Sequence, residues 1–225
     1  MKKKTIIKII LDIFMTISLP LLMIQALAGE QLHEWLGIMM LIVFLIHHIL
    51  NMNWHKNLLN GHYNRMRFIV TMLNFMIFIC MILSAISGVM LSQYIFVFLD
   101  INFGISFARA VHMICTHWMF VLTSFHLGMH IETIKKYIEL TTKKKLESVV
   151  TKRIALFISI INIYGLKVFI DTQLWQYMFY LVEFMFYDFN RITLNVYLDY
   201  GSMMIMFSTF GYLISRLLKI ITSKK

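Results

Sequence analysis

Long apolar runs alternate with short polar separators along this chain. Positions 5–28, 33–53, 68–92, 105–131, 154–170 and 197–219 are dominated by Ile, Leu, Phe and Met. Each run is at or near the ~20 residues with which an α-helix crosses a hydrocarbon core. Lipid leaves an open strand edge unsatisfied, so helices are the economical reading. The separators are Gly29-Glu30-Gln31, Trp54 to Arg67, Ser92 to Gly104 and Lys135 to Arg153. The pattern predicts an all-α polytopic membrane bundle of about six transmembrane helices, with residues 1–225 forming a single domain.

The stretch 171–195 departs from that rhythm. Trp175, Tyr177, Tyr180, Phe184, Phe186, Tyr187 and Phe189 are interleaved there with Asp171, Glu183 and Asp188. Aromatics mixed with a few acids suit a segment lying in the outer membrane interface. The alternative is a span interrupted by charge, giving seven helices and placing the Lys224-Lys225 end outside. At the other end, Lys2 to Lys4, an apolar run and Ala26-Leu27-Ala28 before Gly29 follow a signal-peptide pattern. The run is long for such a leader and is broken by Lys8, Asp12 and Pro20, so a retained first helix is expected.

Composition agrees: 60% of the 225 residues are hydrophobic and 14% charged, against about 25% charged in a soluble domain. A water-soluble globular protein is excluded, because so few polar residues cannot cover such a core. The net charge of +10 would suit nucleic acid if the basic residues shared one face or arm, but they fall at the ends of apolar runs. With the N-terminus placed in the cytoplasm, 18 of the 21 basic residues lie on the inner side; only Arg109, Lys167 and Arg191 do not. That asymmetry orients six helices with both termini cytoplasmic and makes membrane lipid, not nucleic acid, the partner.

The candidate chemistry lies in histidine. Seven of nine His fall on two of the six spans: His33, His47 and His48 on the second, His112, His117, His126 and His130 on the fourth. One such residue is explained by a hydrogen bond to a neighbouring helix; seven on two helices are not. His33 precedes His47 by 14 residues, and His112 precedes His126 by 14. Fourteen residues rise roughly 21 Å and return to within about 40° of the starting face. The second and fourth spans run in the same direction, so His33 can face His112 near the outer side and His47 can face His126 near the inner side. Two stacked imidazole pairs are what two haem groups need as axial ligands, and two axial His leave the iron no open position. Without a Cys-x-x-Cys-His motif, the haems would be b-type, held non-covalently.

Several rivals stay open. His48 lies about 60° from His33 in projection, hardly worse than His47, and His130 returns to the same angle as His112. His117 lies about 140° away from His112. His126 and His130, at i and i+4, also have a zinc-binding spacing. His55 and His62 read as solvated loop residues. Arg109, one turn before His112, is a candidate partner for a haem propionate or a plain interfacial charge. Gly37, Gly88 and Gly128 are positions where a porphyrin can approach a helix backbone. Cys80 and Cys115 read as buried free thiols. Asp12, four residues from Lys8, reads as its ion-pair partner.

The blocks His33-Glu34-Trp35-Leu36-Gly37 and His47-His48-Ile49-Leu50-Asn51 begin a longer pattern. It continues through Trp54, Lys56-Asn57-Leu58, Gly61, Tyr63-Asn64 and Arg67. Together they resemble the flavinylation-associated cytochrome family. Ser87-Gly88, His112, His126-Leu127-Gly128-Met129-His130, Tyr164-Gly165, Phe169, Phe186 to Phe189 and Asp199-Tyr200 extend the resemblance over nearly the whole chain. The paired-His spacing is also similar to that of respiratory cytochrome b, in which parallel helices carry two haems. The resemblance implies a di-haem electron conduit in the bacterial cytoplasmic membrane. Electrons would pass from a quinol or cytoplasmic donor toward an extracytoplasmic flavin-bearing or other redox partner. No flavin-attachment sequence is present, so the flavin would belong to the partner, and quinone is a second candidate ligand. The other function classes are a His-rich membrane metal-ion transporter and a structural anchor subunit. A transporter would be expected to show acids within its spans or helices broken by Gly and Pro. Here Asp12 is the main acid within a span and Pro20 is the only proline.

Overall fold

Pro20 divides the first apolar run. The computed structural model describes residues 3–142, 148–186 and 188–223, and in it helix α1 (Lys3–Leu22) ends two residues beyond that proline. A proline ring removes one N–H from the helix ladder and crowds the carbonyl four residues back. The chain then tightens through Met23 N–H to Pro20 O (3.2 Å) and Ile24 N–H to Leu21 O (3.3 Å), leaving a short α2 (Gln25–Ala28). Gly29 follows with φ +98°, a backbone conformation that favours glycine. It reverses the chain into α3 (Glu30–Leu50), and its carbonyl accepts the His33 N–H at 3.0 Å.

After the short α4 (Met52–Lys56) come α5 (Arg65–Leu91), a 3-10 turn at Val97–Leu99 and α6 (Ile105–Thr142). The chain continues with α7 (Ser148–Asp171), the short α8 (Leu174–Met178) and α9 (Thr193–Ser223). Six of these helices, α1, α3, α5, α6, α7 and α9, are long and apolar enough to cross a membrane, and no strand occurs among the described residues. The protein is therefore multi-pass and all-α. The helices overrun the apolar runs: α6 continues past 131 to Thr142 and α9 begins at Thr193 rather than 197. Helical hydrogen bonding needs no apolar side chains, so hydropathy marks where a helix can sit in lipid and not where it ends. Large side chains such as Ile10, Ile49, Ile163 and Leu217 stay exposed on the outsides of these helices, which only an apolar solvent rewards.

Between Asp171 and Thr193 the only helix is the five-residue α8, so this segment supplies no seventh crossing helix among the described residues. Phe179, Leu181, Phe184, Phe186 and Phe189 are exposed along it. Lys2, Lys143, Lys144, Lys145, Lys224 and Lys225 from the charge count, and Tyr187 from the aromatic stretch, lie outside the described residues.

The chain divides into two compact units. The first comprises 1–62, 78–119 and 175–197; the second comprises 63–77, 120–174 and 198–225. In the first, α1 packs against α3. The Phe44 and Phe78 rings lie 5.8 Å apart, joining α3 to α5. The Glu34 carboxylate ties the N-terminal end of α3 to the C-terminal end of α5. It accepts from the Ser92 hydroxyl (2.6 Å) and from the N–H groups of Gln93 (2.7 Å) and Ile95 (3.0 Å). Residue 34 meeting 92 while 44 meets 78 makes α3 and α5 antiparallel. In the second unit α6 and α9 pack backbone to backbone. The Ser208 hydroxyl donates to the Ser124 carbonyl (2.9 Å), a side chain at Gly128 would strike Ser208, and one at Gly211 would strike Phe125. Small residues permit such an approach between membrane helices. Lys219 pairs with Glu132 farther along, so α6 and α9 run in the same direction.

Candidate functional site

The histidine-bearing spans are as the spacing predicts: α3 carries His33, His47 and His48, and α6 carries His112, His117, His126 and His130. Their surroundings differ.

His33 and His112 come together in the first unit, with ring centroids 6.1 Å apart and planes at 71°. Metal–imidazole bonds of about 2 Å would place the ring centroids of two trans ligands roughly 6 Å apart. The His112 Nδ1–H donates to the Ser84 carbonyl (3.0 Å), with the Ser87 hydroxyl 3.2 Å away. An imidazole fixed at Nδ1 presents the Nε2 lone pair as its ligating face. His33 hydrogen-bonds the backbone of Leu22, while its Nδ1 is buried with no hydrogen-bond partner. A Cβ on Gly88 would stand 3.3 Å from His112 Cε1, so the glycine makes room for this ring. One at Gly37, a turn beyond His33, would meet nothing within 4 Å. The imidazole pair, the orphaned His33 ring nitrogen and the open space beside Gly37 fit a planar group held between two histidines, while the space at Gly88 is taken by the His112 ring itself.

His117 does not join this pair. It is 2% exposed, donates from Nδ1 to the Met113 carbonyl (2.7 Å) and stacks on Tyr177 at 5.3 Å. Its position a third of a turn or more around α6 from His112 is the reason. Arg109 sets its guanidinium 5.6 Å from the centre of the Phe184 ring, a cation–π contact that anchors the aromatic segment.

At the other end of α3, His47 Nδ1 lies 2.8 Å from Asp12 Oδ1, and Asn51 Nδ2 approaches His47 Nε2 at 3.3 Å. Lys8 Nζ donates instead to Asn51 Oδ1 at 2.6 Å. The expected Lys8–Asp12 pair is thus replaced: α1 offers its acid to a histidine of α3 and its amine to an amide. His48 Nδ1 lies 2.8 Å from His55 Nε2, and the His48 ring packs on Phe44 and Phe78. His55 is therefore a helical partner on α4 and not a solvated loop residue. In the second unit the His126 and His130 rings lie 4.6 Å apart. Gly128 between them serves the contact with α9 and not a porphyrin, because Ser208 already occupies the space a side chain would take. Among the described residues, no group of three or more His, Cys, Asp or Glu side chains is arranged to hold a bare metal ion.

The residues that sequence spacing missed are those one turn or one helix away from the histidines: Asp12, Ser84, Ser87 and Asn51. Ser84 and Ser87 carried a faint signal as buried small polar residues in an apolar helix. No family model, curated protein or solved structure matches this chain.

Proposed function

We propose that this protein is a di-haem b-type cytochrome of the bacterial cytoplasmic membrane that moves electrons across it, with both termini cytoplasmic. Electrons would come from a quinol or cytoplasmic donor and pass to an extracytoplasmic flavin-bearing or other redox partner, as the resemblance to flavinylation-associated cytochromes implies. The observation that carries this reading is the His33–His112 pair, whose rings stand 6.1 Å apart on two helices.

His33 and His112 would hold the outer haem. The inner ligands, His47 and His126, are assigned on the 14-residue spacing alone. Held by these histidines, haem would supply one-electron transfer. The chain contributes orientation and dryness. The Ser84 carbonyl fixes the His112 tautomer, the Glu34 carboxylate anchors α3 beside α5, and buried Met113, Cys115 and Phe120 exclude water from the neighbouring faces of α6.

The test is a reduced-minus-oxidised spectrum of purified protein with a haem-to-chain ratio. Two b-type haems per chain are expected, with His112→Ala and His126→Ala each reducing the count to one. Protein free of haem overturns the reading, and protein that instead copurifies with zinc or copper points to a metal-ion transporter. Retention of both haems in His126→Ala with loss of one in His130→Ala moves the inner ligand one turn along α6.

A further inference from the structure

Cys80 on α5 and Cys115 on α6 belong to the first unit and share the seam that holds His112. On α5, Cys80, Ser84 and Gly88 succeed one another at four-residue steps, with Ser87 beside them. On α6, Ala108, His112 and Cys115 recur at steps of four and three. Such steps keep side chains on one helix face. The His112 ring fills the seam against Ser84, Ser87 and Gly88. One turn farther along, the Cys80 thiol donates a hydrogen bond to the Cys115 sulfur. Small residues on both faces let helix backbones come close, and a disulfide asks for Cα atoms about 4–7 Å apart. Thiols already in contact across such a seam are poised to meet that requirement.

We propose that Cys80 and Cys115 are an oxidisable pair that closes into a disulfide between α5 and α6, with a quinone dissolved in the bilayer as the oxidant. Both S–H bonds break, the two sulfurs join, and the two hydrogen atoms pass to the quinone, which leaves as the quinol. The sulfurs are oxidised and the quinone is reduced by two electrons, so no other reactant is needed. Location selects this oxidant. Exchange with a water-borne disulfide calls for a thiolate, and a charge inside a span is costly. Cys115 is buried, but Cys80 is half-buried and flanked by Ile79 and Leu83, both exposed on the outside of α5. Approach is therefore from the lipid side. The product is neutral and carries no S–H donor, so apolar surroundings do not oppose it. The bond fastens α5 to α6 one turn from the Ser84 carbonyl that positions His112. It needs no haem and goes beyond the electron-transfer reading.

The test treats membranes holding the full chain with duroquinone, whose fully methylated ring disfavours thiol adducts. The protein is then denatured, its free thiols are capped with a maleimide, and its intact mass is measured. Wild-type protein starts with two free thiols and is expected to end with none, lighter by two hydrogen atoms before capping. Dithiothreitol should restore both thiols. Cys80→Ser and Cys115→Ser should each keep the one remaining thiol after the same treatment. Two thiols still capped in treated wild-type protein overturn the proposal. So do bridges between chains in place of an internal bond, or a single-cysteine variant that loses its thiol as readily as wild type. Haem content does not enter the measurement, so the failure of this pair and the failure of the di-haem reading are seen separately.

Discussion

Gly88 leaves the His112 ring its place: a Cβ there would stand 3.3 Å from Cε1, tighter than ordinary van der Waals contact. The Nδ1 on that same edge is held by the Ser84 carbonyl, so the ring cannot retreat without giving up that bond. Alanine at 88 asks for a few tenths of an ångström, whereas a branched side chain asks for a different rotamer of His112. On the proposed di-haem reading, Gly88→Val is therefore expected to lose one haem while Gly88→Ala keeps both, measured as haem per folded chain. Equal haem content in all three proteins would show that the ring's position is unimportant. The same logic separates the histidines by environment. His112 is braced by neutral oxygens and His47 by a carboxylate, while His117 is held at Nδ1 by Met113 and stacked on Tyr177, with its Nε2 buried and without a hydrogen-bond partner.

At the level of helices, α6 and α9 meet through glycine and serine, and the contact leaves no space for a methyl group at Gly128. Without a hydrophobic driving force between helices in lipid, such close packing supplies much of the association. Gly128→Ala should cost about 1–3 kcal/mol, the range for overpacking a filled interior. Gly201→Ala, on the same α9 with nothing within 4 Å of its would-be Cβ, should be neutral or stabilising by up to about 1 kcal/mol. Denaturant unfolding in detergent micelles compares the two, and an equal effect would sink the close-packing account.

The elements also show what a sequence can carry. The six long helices and the two that bear histidine follow from apolar length and a 14-residue period, because both are properties of one segment. Contacts between segments do not follow. Asp12 and His47 are 35 positions apart, and Glu34 and Ser92 are 58. Their meeting depends on how each helix is rotated toward its neighbour, which no period within either helix records. The Lys8–Asp12 expectation failed for that reason: a local i, i+4 partner was visible, and the two partners supplied by α3 were not. Gly128 misled similarly, since glycine in a membrane helix marks a close approach without saying whether a cofactor or another helix makes it.

For the whole molecule, the number of crossings decides where each loop stands, and charge decides which side is which. α6 and α9 run in the same direction, as shown by Ser124 meeting Ser208 and Glu132 meeting Lys219. Among the described residues only α7 between them is long and apolar enough to cross, so the segment after it supplies no further crossing helix there. On the positive-inside expectation, the 57–64 loop would stand in the cytoplasm, with the 92–104 loop and the 179–192 segment outside. In a background lacking Cys80 and Cys115, single cysteines at Leu59, Asn102 and Asp188, all exposed, test this with a membrane-impermeant maleimide. Intact cells of a Gram-negative host with a permeabilised outer membrane should label Asn102→Cys and Asp188→Cys. Leu59→Cys should label only after the inner membrane is opened. Labelling of Leu59→Cys alone would invert the protein. Opposite behaviour of Asn102→Cys and Asp188→Cys would require a further crossing between them and would move the aromatic segment out of the outer interface. The assignment also bears on electron direction, because the His33–His112 pair lies at the end of α3 that carries Glu34 and the Ser92 loop. On the proposed electron-transfer reading, an external loop would put this pair nearer an extracytoplasmic acceptor.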